Sequence, residues 1–152
     1  MGQGVTIRRL TADDLLLFRN VAALFAVEFG EAEAYQGNPP SDAYVARLLE
    51  GHSFLVLAAL DGDRVVGGLA AYVLEKFEQE RREIYIYDLA VAGSHRRLGV
   101  ATELIHHLKH LAKSLGAYVI FVQADQGDDA AIALYSKLGS REDVLHFDIA
   151  VK

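Results

Sequence analysis

Two arginines and a glycine, Arg96, Arg97 and Gly99, stand between the apolar run Ile84-Tyr85-Ile86-Tyr87-Asp88-Leu89-Ala90-Val91 and a helical pattern that opens at Val100. A helix start carries unpaired backbone N–H groups and a partial positive charge. A basic bend with a glycine just ahead of it suits a phosphate or pyrophosphate. The bend lacks the Gly-Lys-Ser/Thr ending of a nucleoside-triphosphate loop. It has one glycine where the dinucleotide fingerprint needs three. Gly99 lets a backbone approach phosphate closely. The N–H groups around Gly99, Val100, Ala101 and Thr102 are therefore expected to make most of the contacts, with the Arg96 and Arg97 side chains contributing less.

Other residue types invite chemistry, and each has a plainer reading beside it. Asp88 is a carboxylate in an otherwise apolar strand, either a reactive group or an acid facing solvent. Period-two alternation sets it on the face opposite Tyr87 and Leu89. Tyr135 lies with Leu134 and Leu138 on a face with helical spacing, which by itself favours packing. His106 and His110 are one helical turn apart, but no acidic third ligand matches that spacing. A solvated helix face is the better reading, and no metal is expected. His146 reads as structural, and Tyr85 with Tyr87 as a packing ladder.

The elements that must position these groups follow from periodicity and breakers. Val5 to Leu10 alternates as a strand. Thr11-Ala12-Asp13-Asp14 looks like a helix cap with acids in the first turn, and the helix runs to about Phe29, where Gly30 ends it. Residues 30–40, with Asn38-Pro39-Pro40, read as a loop. Ser41-Asp42 caps a second short helix that ends near Gly51. Strands follow at His52 to Leu60 and Arg64 to Leu74, joined by the hairpin signal Asp61-Gly62-Asp63, and then at Glu83 to Val91. A helix from about Val100 to Leu115 closes at Gly116. The run Ala117 to Ala124 suits a buried parallel strand. The acidic loop Asp125-Gln126-Gly127-Asp128-Asp129 can cap a helix from Ala130 to Leu138, and Val144 to Val151 is expected as a last strand. The order β-α-α-β-β-β-α-β-α-β predicts an α/β mixed sheet with helices on its faces.

Composition narrows the field. A chain of 152 residues fits one domain, 1–152, with 52% hydrophobic and 24% charged residues. Cysteine is absent, which excludes disulfides, a cysteine nucleophile and cysteine-based zinc sites. A net charge of −6 argues against non-specific nucleic-acid binding and permits a cationic small molecule. No membrane span or secretory leader is evident, so the cytoplasm is the default location.

The element order and two motifs resemble the GNAT superfamily of N-acetyltransferases. Arg96-Arg97-Leu98-Gly99-Val100-Ala101 matches its Gln/Arg-x-x-Gly-x-Gly/Ala signature, placed as it must be between strand and helix. Ala131-Ile132-Ala133-Leu134-Tyr135-Ser136-Lys137-Leu138-Gly139 matches its A-x-x-L-Y-x-K-x-G segment. Longer strings, among them Lys76-Phe77-Glu78-Gln79, Glu83 to Val91, Val122-Gln123-Ala124-Asp125 and His146-Phe147-Asp148-Ile149, are similar to aminoglycoside 3-N-acetyltransferases of the gentamicin-resistance type. The chain departs from the wider pattern at Ser140, where Phe is frequent, and at Asp128, where Asn is frequent. Its N-terminal third is less like the narrower family.

The resemblance implies a GNAT fold with a mixed sheet of six to seven strands, about four helices and a splay between two central parallel strands. It implies acetyl-CoA as co-substrate, bound by Leu89, Ala90 and Val91 together with Arg96, Arg97, Gly99, Val100, Ala101 and Thr102. It assigns Asp88 as the base at the acceptor amine and Tyr135 as the group that protonates the departing sulfur. The acceptor it implies is a cationic aminoglycoside, acetylated at the 3-amine of the 2-deoxystreptamine ring. Acidic side chains would hold its ammonium groups. The candidates are Asp125, Asp128, Asp129, Glu28, Glu31 and Glu33, with Tyr87 beside them. Asp128 or Asp129 equally reads as a helix cap. A polyamine or other small-amine acceptor, and a CoA-binding module without turnover, stand as alternatives. Oligomeric state stays open. Members of the family often pair as homodimers, and an exposed final strand could assist.

Overall fold

A computed structural model describes residues 4–152. Its five strands are β1 (Val5–Arg9), β2 (Phe54–Asp61), β3 (Arg64–Glu75), β4 (Arg82–Val91) and β5 (Ala117–Val122). They form one sheet in the order β1-β2-β3-β4-β5. Neighbours are antiparallel except β4 and β5, which run parallel. The helices are α1 (Leu15–Phe29), α2 (Ala32–Gln36), α3 (Asp42–Glu50), α4 (Val100–Ser114) and α5 (Asp129–Leu138).

Strand alternation divides the core into two layers. Leu55, Leu57 and Ala59 of β2 join a cluster with Val100, Leu104 and Leu108 of α4. Phe54, Val56 and Ala58 point the other way, toward Val21 and Phe25 of α1 and Val45 and Leu49 of α3. The sheet is therefore apolar on both faces where helices cover it, and β2 is buried from Phe54 to Ala59. In α4 the buried residues Val100, Leu104, Ile105, Leu108 and Ala112 form one stripe, the helical period read from the sequence. Two adjacent glycines in β3 bring the layers close. A Cβ on Gly67 would lie 3.1 Å from Val100 of α4, and one on Gly68 would lie 2.8 Å from Val21 of α1.

The structure corrects four expectations. The described sheet has five strands rather than six or seven. Residues 144–151 form no strand: from Ser140 to Lys152 the chain is exposed and without regular structure. The loop expected at 30–40 contains α2, so the described residues form five α-helices rather than about four. Asp14 does not sit in the first turn of α1. It precedes that turn and is nearly buried. Its carboxylate accepts from the Thr11 N–H at 2.8 Å and pairs with Arg8 at 2.6 Å. The short polar stretch before α1 thus closes on itself and on β1 rather than on the helix.

Gly68→Val is expected to destabilise the protein by roughly 1–3 kcal/mol, because even its Cβ would lie 2.8 Å from Val21, inside van der Waals contact. Urea denaturation followed by circular dichroism measures it; an unchanged midpoint would show that α1 has room to move.

Candidate active site

β4 carries an irregularity at the site. Ala71 pairs with Ile86 and Ala70 with Asp88, so Tyr87 is an extra residue without a partner on β3. Such a bulge bends the strand and re-aims its side chains. Before it, Ile84 and Ile86 face the α4 layer. After it, Leu89 and Val91 face that layer, and Ala90 faces the α1 layer. Asp88 therefore stays opposite Leu89 but shares with Tyr87 a cavity of ≈ 120 Å³ on the α1 side. Strict alternation, which separated Tyr87 from Asp88, fails because the bulge consumes one residue.

The same region opens the sheet. The β4–β5 pairing ends at Ile86 opposite Val122, and β5 stops there. Leu89, Ala90 and Val91 pair with Leu69, Gly68 and Gly67 of β3, while their other edge has no β5 partner. Backbone groups along that edge are free to meet an extended ligand entering between the two strands.

The cavity is walled by aromatic rings. Phe25 stacks on Phe29 at 5.4 Å between centroids, and Tyr35 packs against both at 5.8 and 5.9 Å. Tyr72 meets Tyr87 edge-on at 5.7 Å, Tyr87 meets Tyr85 at 5.7 Å, and Tyr85 stacks on Phe121 at 4.7 Å. Tyr85 also donates to the Gln123 side chain at 2.9 Å. The tyrosine ladder expected on β4 is thus one segment of a longer aromatic wall.

Asp88 is half-buried, and the Tyr35 hydroxyl donates to its carboxylate at 2.9 Å. Burial raises its pKa above the ordinary carboxylate range; the Tyr35 hydrogen bond pulls the other way, and the charge of nearby Glu31 adds to the rise. Tyr35 is itself pushed upward, first by burial and then by Asp88. Sequence reasoning placed Tyr35 in a loop and gave it no role. Its helix, Ala32–Gln36, is too short to show a period. The available signal was an aromatic residue set among the acids Glu31 and Glu33.

The basic bend is a 3₁₀ turn, Gly93–His95, followed by two left-handed residues, Arg97 at φ 63° and Gly99 at φ 81°. Left-handed geometry is ordinary for glycine and costly for arginine, a strain typical of ligand-binding turns. The first backbone bond of α4 runs from the Glu103 N–H to the Gly99 carbonyl at 3.0 Å, and no side chain caps the helix. The amides of Val100, Ala101 and Thr102 thus have no acceptor within the helix. The bend is anchored at both ends. His95 bonds Asp61 of β2 at 2.9 Å, and Arg96 pairs with Glu28 of α1. This uncapped turn fits a diphosphate on both charge and backbone geometry.

The remaining candidates separate. Glu28 sits at the bend, held by Arg96, rather than beside Asp88. Glu31 and Glu33 are exposed at α2, close to Asp88 in the case of Glu31. Asp128 caps α5, accepting from the Ala131 N–H at 3.2 Å, so the capping reading applies to it. Asp125 accepts the Asp128 N–H through its backbone carbonyl at 3.1 Å, and both Asp125 and Asp129 are exposed. Tyr135 packs its ring against the α4-side core, and its hydroxyl is pushed up to about 12, mainly by burial and further by Asp128. It stays protonated across the neutral range and can donate.

A bulged strand, a parting of two parallel neighbours and an uncapped helix beyond a basic turn leave backbone groups open to an extended, phosphorylated ligand. The chain belongs to the GNAT acetyltransferase family, whose sequence model matches residues 19–140. It is similar over its full length to a solved aminoglycoside acetyltransferase, HMB0005, from an uncultured soil metagenomic sample. The identity is 55% and the TM-score 0.96, with 100% of both chains covered. A second, meta-AAC0020, from the same kind of source and solved in complex with sisomicin, is 33% identical with a TM-score of 0.90, covering 98% of this chain and 97% of that one. Among curated proteins, the catalytic subunit NAA10 of the Arabidopsis thaliana N-terminal acetyltransferase A complex is 37% identical over 105 residues, 66% of this chain. The chain spans about half the length of that relative, 47%.

Two outcomes are expected from the Asp88 environment. Asp88 has a raised folded-state pKa, so its contribution to stability is full below the unfolded pKa and is lost as pH rises through the folded one. Asp88→Asn keeps an acceptor for Tyr35 and removes the buried charge. It should therefore raise Tm at neutral pH and leave Tm unchanged at acid pH, below the unfolded-state carboxylate pKa. Calorimetry across pH measures this, and a lower Tm at neutral pH would show the carboxylate to be stabilising. Tyr35→Phe removes the one interaction that lowers the Asp88 pKa. NMR titration of the carboxyl carbon should show a further upward shift; a downward shift would refute the assignment.

Proposed function

We propose that the protein is an acetyl-CoA-dependent aminoglycoside N-acetyltransferase acting at the 3-amine of the 2-deoxystreptamine ring, with a gentamicin-like acceptor. The observation that carries this reading is Asp88. It is a carboxylate with a raised pKa, held by Tyr35 at the β4 bulge, beside the free edge of the strand and one short turn before the uncapped start of α4. The 55% identity to one aminoglycoside acetyltransferase and the likeness to another that binds sisomicin support the acceptor class.

In this reading acetyl-CoA supplies an activated acetyl thioester. The amides of Val100, Ala101 and Thr102, with the Gly99 turn, bind its diphosphate, and Arg96 and Arg97 add positive charge. The free edge of Leu89, Ala90 and Val91 aligns the extended arm and offers an N–H to the acetyl oxygen. Asp88 takes a proton from the acceptor ammonium, and its raised pKa moves it toward the range in which a base is effective at neutral pH. The freed amine adds to the thioester carbon to form the C–N bond; as the C–S bond then breaks, the nitrogen gives its second proton to water, and water reprotonates Tyr135 after it has supplied the sulfur. Tyr135 donates a hydrogen bond or proton to the leaving sulfur, for which a group pushed up to about 12 by burial is in the right protonation state.

The acceptor is a polycation. Glu31 and Glu33 at α2, and Asp125 and Asp129 after β5, are exposed and supply negative charge that attracts it. Tyr87, 60% exposed, offers a ring against which a sugar can pack. Glu28 and Asp128 have partners of their own, so their part in acceptor binding is the smaller one.

Release of free thiol from acetyl-CoA in the presence of gentamicin or sisomicin, with NMR of the product to locate the new amide, tests the proposal. No release with any such acceptor, or acetylation at another nitrogen, overturns it. Acceptance of peptide N-termini in their place would favour the activity named for NAA10. For the roles, Asp88→Asn should lower kcat by roughly 10²–10⁴-fold with little change in CoA affinity. Tyr135→Phe should lower kcat by a smaller factor, and an unchanged rate would remove the sulfur-donor role.

A further inference from the structure

The two carboxylate oxygens of Asp88 stand in different surroundings. The Tyr35 hydroxyl donates to Oδ2 at 2.9 Å. Among the described residues no other side chain donates to Asp88, so Oδ1 is left without a protein partner. The last torsion of an aspartate is broad, and a free carboxylate swings about it. A donor fixed on one oxygen narrows that swing and sets where the other oxygen points.

Tyr35 is held in place by its own surroundings. After α1 the Glu31 N–H returns to the Ala26 carbonyl at 3.1 Å, so α2 starts against the last turn of α1. At the other end α2 closes on Gly37, where a Cβ would lie 2.5 Å from the Glu33 carbonyl oxygen. Between these two stops the Tyr35 ring packs on Phe25 and Phe29. The cluster holds the ring, and the ring holds the hydroxyl at Asp88.

The kind of donor matters as much as its place. The walls that α1 and β2 bring to the cavity are apolar, Phe18 and Phe25 from one and Phe54 from the other. Tyr72 of β3 and Tyr87 of β4 are neutral, and Glu31 of α2 is negative. Among the described residues no cation faces Asp88. An arginine or lysine in the place of Tyr35 would also hold the carboxylate, but it would weaken the base and repel a cationic acceptor. A phenol orients the carboxylate without adding charge. Tyr35 keeps its proton, because burial and Asp88 both push its pKa up.

We propose that Tyr35 is a positioning residue for acetyl transfer: by anchoring Oδ2 of Asp88 it presents Oδ1 to the ammonium of the acceptor. The inference rests on the acetyl-transfer reading of Asp88. In the proton step an N–H bond of the ammonium breaks and an O–H bond forms at Oδ1. The amine keeps the electron pair with which it attacks the thioester. Oδ2 stays bonded to Tyr35 throughout, and Tyr35 neither gains nor loses a proton. Once the product leaves, the proton on Oδ1 passes to water.

Tyr35→Phe keeps the ring in its aromatic cluster and removes only the hydroxyl, and the pH–rate profile of this variant decides the role. If Tyr35 positions Asp88, kcat on the high-pH plateau falls by roughly 10–10²-fold. The acid limb also moves to higher pH, because the bond that lowers the Asp88 pKa is gone. A limb that moves over an unchanged plateau would show that Tyr35 only tunes the base. A profile that does not move would show that it only packs. Either result overturns the proposal, as does a loss confined to the acceptor KM. A double-mutant cycle gives a second measure. In the Asp88→Asn background, followed with labelled acetyl-CoA, Tyr35→Phe should lower kcat no further, since Tyr35 acts through Asp88 alone. Losses that multiply would overturn the proposal. The acceptor class is tested apart from this. If the unaltered enzyme acetylates a different amine in place of aminoglycosides, the profile is measured with that amine, and the role of Tyr35 stands or falls on it while the acceptor reading falls. An unaltered enzyme that transfers acetyl to no amine overturns both.

Discussion

The extra residue in β4 is the constraint on which the site depends. Without the bulge at Tyr87, Asp88 would pair one position further along β3 and change faces. It would then point into the α4-side core among Ile84, Ile86 and Leu104, where a carboxylate has no partner. With it, Ile84 and Ile86 still pack beneath α4, while Asp88 and Tyr87 both turn toward α1 and α2. The β4–β5 ladder ends beside the bulge, after Ile86 and Val122. One irregularity thus sets the direction of the carboxylate and adjoins the gap beside it.

The surroundings of that carboxylate are a balance between burial and hydrogen bonding. Phe25 and Tyr35 line the cavity that Asp88 faces, and burial there raises the cost of its charge. Tyr35 returns part of that cost through its hydroxyl. The aromatic cluster is built by α1 and α2, elements distant in sequence from β4, and Gly68 lets α1 lie close enough to take part. The phosphate-type turn obeys a separate logic. Arg97 accepts a left-handed conformation, and Arg96 and His95 tie the turn to α1 and to the β2–β3 hairpin through Glu28 and Asp61. The two halves of the site are held differently, one by aromatic packing and the other by the Arg96–Glu28 ion pair and the His95–Asp61 hydrogen bond, around backbone amides that have no partner within the helix.

The molecule is lopsided about its sheet. β2 is covered on both faces from Phe54 to Ala59, whereas β5 and α5 contain no buried residue and the segment after Gly139 is exposed. Apolar residues concentrated on one edge and on one extended segment of the same chain are unsatisfied in isolation.

Local patterns settled much of this protein before any tertiary contact was considered. The helical stripe of α4, the buried run of β2, the glycine stops at Gly30 and Gly139, and the basic turn before Val100 all follow from periodicity and backbone chemistry within a few neighbouring residues. Asp88 stood out in the sequence because a carboxylate in an apolar strand is conspicuous. Its face did not, since alternation holds only while pairing is regular, and the bulge is a property of β4 and β3 together. Tyr35 was silent for a related reason: a five-residue helix has no period, and the significance of its hydroxyl arises only when α2 folds over β4. The same limit accounts for residues 144–151. Their alternation specifies that they suit a strand, but whether an edge lies within reach is decided by where α5 releases the chain, a matter of three-dimensional placement that no local pattern encodes.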